Sequence, residues 1–129
     1  MKRVLLALAL VILSAVGVVS CGSGSSSLDP NKRIADLTPD EQKQLCDETA
    51  AAQGGYGRTV TCPDGSIAMT DSNQASCLGG VQAAPQYCPA LTVGDILNCA
   101  HSQGHDLCSS TPVPECQAYL DCAASIPKG

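Results

Sequence analysis

The sequence predicts a small disulfide-rich domain that is mainly α-helical, with about three to four short helices and one small β-hairpin. The chain has 129 residues but no Phe and no Trp, and a small core without large aromatic side chains needs covalent cross-links. It carries nine cysteines, enough to supply such cross-links. Helix-start signals recur along the chain, and one Pro-Asp-Gly turn lies between two alternating segments.

The first 20 residues have the pattern of a secretory signal peptide. Lys2 and Arg3 precede an apolar run, Val4 to Val19, which falls short of the ~20 residues that span a bilayer. An uncleaved membrane anchor is the alternative, and the flanking residues disfavour it. The run ends in VVSC, which resembles the lipobox of bacterial lipoproteins. The resemblance implies cleavage before Cys21 and acylation of its thiol and its new amino group.

The lipobox resemblance implies a protein of the bacterial cell envelope whose partner is the lipid bilayer, through acylated Cys21. Two or three acyl chains hold a protein firmly on a membrane, whereas one chain does not. Gly22 stands where an aspartate would indicate the inner membrane, which favours the outer membrane. The expected segments are the signal peptide (1–20), an anchor with a flexible Gly/Ser tether and lead-in (21–37), the stapled domain (38–124) and a tail (125–129).

Charge and cysteine number limit the possible functions further. Seven basic residues less Lys2 and Arg3 leave five against twelve acidic residues, a net charge of −7, which disfavours nucleic acid as a partner. With Cys21 lipidated, an even number of cysteines remains in an exported chain, which predicts four disulfides. The sequence does not determine how these cysteines pair, although the short gap between Cys108 and Cys116 suggests that these two form a disulfide. The eight are Cys46, Cys62, Cys77, Cys88, Cys99, Cys108, Cys116 and Cys122.

The first helix has a complete start signal. Thr38 can cap it, Pro39 suits its first position, and Glu41 can close a capping box. This helix should run from Pro39 to about Ala52, where Gly54-Gly55 ends it.

A hairpin is predicted after the first helix. Val60 and Cys62 alternate with threonines before the Pro-Asp-Gly turn, and Ile67 and Met69 alternate after it. A four-residue loop over 63–66 would place all four side chains on one face, which we expect to pack against the helices.

A second, short helix is predicted from a cap at Asp71 or Ser72 to about Leu78. Gly79-Gly80 should end it, because glycine is a poor helix former. The next segment, 81–89, contains two prolines and should be irregular.

The last two helices each show an apolar stripe at helical spacing. Thr92 and Asp95 mark the start of one helix and Gly104 its end, with a stripe of Val93, Ile96, Leu97 and Ala100. The final helix should run from about Pro114 to Ala124. Its stripe consists of Cys116, Tyr119, Leu120 and Ala123.

Four segments of the domain carry a second resemblance: LTPDEQKQLCDE, the stretch from GGYG to TCPDG, CPALTVGDILNCA and PECQAYLDCA. Together they make residues 37–124 similar to small cysteine-rich bacterial lipoproteins of unknown function. The resemblance implies a shared fold and no activity.

Candidate chemistry is limited to one cluster, Cys99, His101, His105 and Cys108, which has ligand types suited to zinc. Structural disulfides are the favoured reading of its cysteines, since an exported domain oxidises them and Gly104 should separate the histidines. The chain has no Cys-x-x-Cys and no Gly-x-Ser-x-Gly motif. A domain of this size also leaves little room for a buried cleft. We therefore predict no catalytic residues, no metal and no cofactor.

The expected function is that of a non-enzymatic binding or structural module of the cell envelope, with an unknown macromolecule as partner. One alternative is an inhibitor or immunity-type protein with a single tight partner. The other is a small zinc protein or enzyme that uses His101 and His105. Recognition should fall on loops, first of all on Gln82 to Pro89 or Ser102 to Pro114.

Overall fold

The computed structural model describes residues 26–104, 106–109 and 111–127. In these ranges it shows four α-helices: α1 (Pro39–Ala52), α2 (Gln74–Tyr87), α3 (Val93–Gln103) and α4 (Gln117–Ser125). An antiparallel hairpin, β1 (Thr59–Thr61) and β2 (Ile67–Met69), separates α1 from α2. Two 3-10 turns, Ile34–Asp36 and Pro114–Cys116, precede α1 and α4. The predicted fold class is confirmed.

Four disulfides cross-link these elements, as predicted. Cys46–Cys77 joins α1 to α2, and Cys88–Cys122 joins the end of α2 to α4. The other two are Cys62–Cys108, which ties the hairpin to the segment after α3, and Cys99–Cys116, which ties α3 to the turn before α4. The suggested Cys108–Cys116 pairing is wrong, because each of these cysteines is bonded to a more distant element.

The capping signals of α1 and α3 correctly predicted where both helices start. In α1 the Glu41 amide donates to Thr38 Oγ1 at 3.3 Å, and the Thr38 amide donates to Glu41 Oε2 at 2.8 Å. Thr92 and Asp95 form the same reciprocal pair at the start of α3. Each pair satisfies two backbone donors that a helix start otherwise leaves without partners.

The capping carboxylate of Glu41 makes the stability of the fold pH-dependent. Lys32 Nζ donates to both of its carboxylate oxygens, at 2.8 and 2.7 Å. This bond, followed by the one from the Thr38 backbone, lowers the pKa of Glu41 from 4.5 to about 2. Because the folded pKa lies below the unfolded one, the ionised group stabilises the fold fully above pH 4.5. That contribution is lost as the pH falls toward 2.

We therefore expect Glu41→Gln to remove part of the acid sensitivity of the domain. The drop in melting temperature between pH 6 and pH 2.5, followed by circular dichroism, should be smaller in the variant than in the parent. Lys32→Met should reduce the drop in the same direction, because it removes the first cause of the pKa shift. An unchanged drop in both variants would contradict the role assigned to this carboxylate.

The hairpin has a register one residue away from the predicted one. The pairs are Thr59–Met69, Val60–Ala68 and Thr61–Ile67. The loop has three residues, 63–65, since the Gly65 amide donates to the Cys62 carbonyl at 2.9 Å with Gly65 at φ +82°. Such a loop ends in a left-handed glycine. The shift turns Ile67 and Met69 outward, where they are 64% and 72% exposed.

The second helix is longer than predicted. Asn73, rather than Asp71 or Ser72, caps it by accepting from the Ser76 amide at 3.0 Å. It then continues through Gly79-Gly80 to Tyr87 and contains Pro85. Val81 packs in the core and Cys77 is bonded to α1, so tertiary contacts outweigh the ~1 kcal/mol that each glycine costs a helix. The segment 81–89 is therefore mostly helical, and the predicted contact loop Gln82–Pro89 lies largely within α2.

The core begins before α1, in the segment predicted as a lead-in. Leu28, Ile34 and Leu37 are buried with the apolar residues of α1 to α3. The Ile34 amide donates to the Leu91 carbonyl at 2.9 Å, and the Gly94 amide to the Pro30 carbonyl at 2.8 Å. A Cβ at position 94 would lie 2.9 Å from that Pro30 oxygen, so only glycine fits there. The segment 28–37 is thus an integral part of the domain.

The apolar stripe of α4 is only partly buried, in contrast to the prediction. Cys116 is buried, but Tyr119 and Leu120 are 48% and 39% exposed and Ala123 is also exposed. No residue of α4 itself, all of it described, is buried. Tyr119 and Ala123 of this stripe face an open space between the helices.

Candidate functional site

A cavity of about 350 Å³ lies among the four helices. Each helix contributes residues spaced three or four positions apart, so one face of every helix points toward the same space. The lining residues are Leu45 and Thr49 of α1; Cys77, Gly80, Val81 and Ala84 of α2; Ile96, Cys99, Ala100 and Gln103 of α3; Tyr119, Cys122 and Ala123 of α4; and Gln53, Asp71, Leu91 and Ile126 outside the helices.

Small side chains leave this space open. Gly80, Ala84, Ala100 and Ala123 occupy facing positions of α2, α3 and α4, where larger residues would fill the centre of a four-helix arrangement. The chain has no Phe or Trp to do so. The expectation that so small a domain has little room for a cleft is therefore wrong. Disulfides link α1 to α2, the end of α2 to α4, and α3 to the turn before α4 around this space.

The floor of the cavity is apolar and its rim is polar. Leu45, Val81 and Leu91 are buried at the floor. Gln53 and Gln103 lie on the rim, and within the described residues their side-chain amides have no hydrogen-bond partner. A bound molecule can therefore bury an apolar body and exchange hydrogen bonds with two amides, the arrangement typical of small-molecule sites.

Two opposite charges lie at the Gln53 side of the rim. Asp71 is the charged residue of the lining, and its Oδ1 accepts from Ser76 Oγ at 2.9 Å. Arg58 lies just outside it and donates from Nη1 to the Gln53 carbonyl at 2.9 Å. One carboxylate thus lies on the rim beside neutral amides, and one guanidinium lies just outside it.

A hydrogen-bond network fixes the start of α2 beside this rim. Asp47 Oδ1 accepts from Tyr56 Oη at 2.9 Å and from Gln74 Nε2 at 2.8 Å. Burial, followed by the bond to Asp47, raises the pKa of Tyr56 to about 12. Tyr56 is therefore a protonated donor at neutral pH, and the network holds α1 against α2.

The cavity wall contains cysteines but no free thiol among its described residues. Cys77, Cys99 and Cys122 all line the cavity, and each is in a disulfide. Their chemistry at the wall is that of apolar packing, since a nucleophilic or metal-binding role requires a thiolate. The cavity is thus equipped for non-covalent binding.

The two cysteines of the zinc alternative are not free to bind a metal. Cys99 and Cys108 belong to two different disulfides, so neither can be a thiolate ligand. His101 is exposed on α3 and does not line the cavity, while His105 lies outside the described residues. Across the described ranges, no group of three His, Cys, Asp or Glu residues is arranged to hold a metal.

Cys21, with the predicted signal peptide and most of the predicted tether, lies outside the described residues. Among the helices that are described, none has the length and apolar character needed to cross a bilayer. The second predicted contact loop, Ser102–Pro114, is described in part. The Cys62–Cys108 disulfide links it to the hairpin.

No family model, no curated protein and no solved structure matches the chain. The resemblance of residues 37–124 to cysteine-rich lipoproteins therefore stays a prediction. Function has to be argued from the cavity itself. The residues that matter there, Gln53, Asp71 and Gln103, were not singled out from the sequence. The available signal was an apolar stripe on several helices combined with a lack of residues large enough to fill the space between them.

Proposed function

We propose that this chain is a lipid-anchored, extracytoplasmic binding protein whose stapled helical domain holds a ligand without transforming it. The observation that carries the proposal is the cavity, onto which all four helices direct one face. Its wall combines buried apolar side chains with neutral amides, which suits binding. Its cysteines are oxidised, so they supply no nucleophile.

The disulfides support an extracytoplasmic location, because such bonds persist in oxidising compartments. The VVSC sequence supports an anchor at Cys21, and the absence of aspartate at position 22 favours the outer membrane. The folded domain begins near Leu28. Only residues 22–25 separate Cys21 from Ser26, the first described residue. Five residue steps of ~3.3–3.6 Å limit that distance to about 18 Å. The domain would therefore lie close to the membrane surface.

Native mass spectrometry of the protein extracted from its own membrane tests this proposal. We expect a chain that starts at an acylated Cys21 and lacks eight hydrogens, two for each of four disulfides. It should also carry a non-covalently bound molecule. That molecule should be lost from Ala123→Phe, which fills the cavity, and retained by Ala124→Phe, whose residue is exposed and outside the lining.

An unmodified Cys21 would contradict the anchor, and a bound mass that persists equally in both variants would contradict the binding site. A protein held in one-to-one ratio in place of a small molecule would favour the inhibitor or immunity-type alternative instead.

A further inference from the structure

We propose that the ligand of this cavity is a small uncharged amphiphile, with a compact apolar body and a hydrogen-bonding head such as a hydroxyl. This inference rests on the proposed binding function and adds the chemical class of the ligand. It follows from the size of the cavity, from its floor and from the charges at its rim.

The volume of the cavity sets the size of the ligand. A space of about 350 Å³ equals roughly twelve water molecules at ~30 Å³ each, so the buried body has about a dozen non-hydrogen atoms. Small-molecule sites start at about this volume. A whole peptide helix, with a diameter of ~10–12 Å, is too large to lie inside this space.

The floor of the cavity requires an apolar body. Leu45, Val81 and Leu91 are buried there, and Ala84 and Ala100 complete the surface. A polar body would lose its water without gaining partners at the floor, which is unfavourable. The apolar end of the ligand therefore points inward and its head lies at the rim.

The rim favours an uncharged head. The carboxylate of Asp71 and the guanidinium of Arg58 on the Gln53 carbonyl are opposite charges, so an ionic head of either sign meets one like charge there and gains no net attraction. A charged head also has to give up water at a partly buried site. A hydroxyl avoids both costs and can both donate to and accept from the side-chain amides of Gln53 and Gln103.

A competition experiment tests this ligand class with three amphiphiles that share a ten-carbon chain and differ in the headgroup. The full mature chain with Cys21→Ser is loaded, without detergent, with the uncharged dye Nile red. The dye is then displaced by 1-decanol, decanoate or decylammonium, each below its micelle concentration. We expect 1-decanol to displace the dye at a concentration at least tenfold lower than either ion.

Variants assign the effect to the cavity. Ala123→Phe should weaken dye and decanol binding at least tenfold, while the adjacent Ala124→Phe should stay within twofold of the parent. Ala84→Leu fills the cavity from α2 and serves as a second variant, should the phenylalanine disturb folding. Asp71→Asn should narrow the gap between decanol and decanoate, because it removes the like charge.

Equal displacement by decanoate or decylammonium would overturn the inference, as would absence of dye binding or equal behaviour of the 123 and 124 variants. A native ligand with an ionic head, found by mass spectrometry in the membrane-extracted protein, would overturn the chemical class. It would leave the proposed binding function intact.

Discussion

Replacing Ile34 by alanine lowers the free energy of unfolding by about 2–5 kcal/mol, whereas Ile67→Ala changes it by less than about 0.5 kcal/mol. The two isoleucines make a matched pair, because the same atoms are removed in each case. Ile34 is 1% exposed in the core and Ile67 is 64% exposed on the hairpin. Only the first substitution leaves a cavity and loses apolar burial.

Urea denaturation of the two variants, with disulfides intact, measures this difference. The pair also tests two findings that contrast with the sequence-based expectations. The segment around Ile34 belongs to the core, and the hairpin register turns Ile67 outward. A loss of several kcal/mol in Ile67→Ala would indicate that the hairpin packs in the other register.

Removal of the Cys46–Cys77 disulfide, by replacing both residues with alanine, should lower the free energy of unfolding by about 3–4 kcal/mol. The bridge encloses a sequence separation of 31 residues, and the chain-entropy relation for a loop of that size gives this value. Cys46 is also fully buried between α1 and α2, so the variant loses packing as well. Denaturant titration of the double variant measures the loss.

Removal of the Cys62–Cys108 disulfide by the same double alanine substitution serves as a control for the Cys46–Cys77 variant. In the described structure this disulfide holds the hairpin, whose strands pair only with each other. Its removal should speed amide exchange in residues 59–69 while the helical circular dichroism stays close to that of the parent. The Cys46–Cys77 variant should instead speed exchange in α1 and α2. Identical exchange patterns in the two variants would contradict this division of roles.

The sequence predicted well what depends on local chemistry. The starts of α1 and α3 follow from side chains within three residues of each other, Thr38 with Glu41 and Thr92 with Asp95. The number of disulfides was predicted from the even number of cysteines after Cys21 and from the predicted signal peptide. Both are properties of the chain as a whole. These signals need no knowledge of which elements meet in space.

The predictions from sequence were wrong for features that depend on contacts between residues far apart in the chain. Gly79-Gly80 would end an isolated helix, but Val81 in the core and a bridge at Cys77 carry α2 past them. The hairpin register depends on whether Ser66 pairs with Cys62 or belongs to the loop. A shift of one residue reverses which side chains are buried. The cavity could not be predicted either. It depends on how the four helices are placed relative to one another, whereas the sequence pattern indicates only the apolar face of each helix separately.

The arrangement of the disulfides along the chain determines what a protease can release. The spans 46–77, 62–108 and 88–122 overlap, so every peptide bond between Cys46 and Cys122 lies inside at least one of them. A single cut anywhere in that region leaves both pieces covalently joined. None of the four described bridges extends before Cys46, whereas the buried core already starts at Leu28. One cleavage just before Leu28 would therefore separate the whole folded domain from residues 1–27 as a single piece.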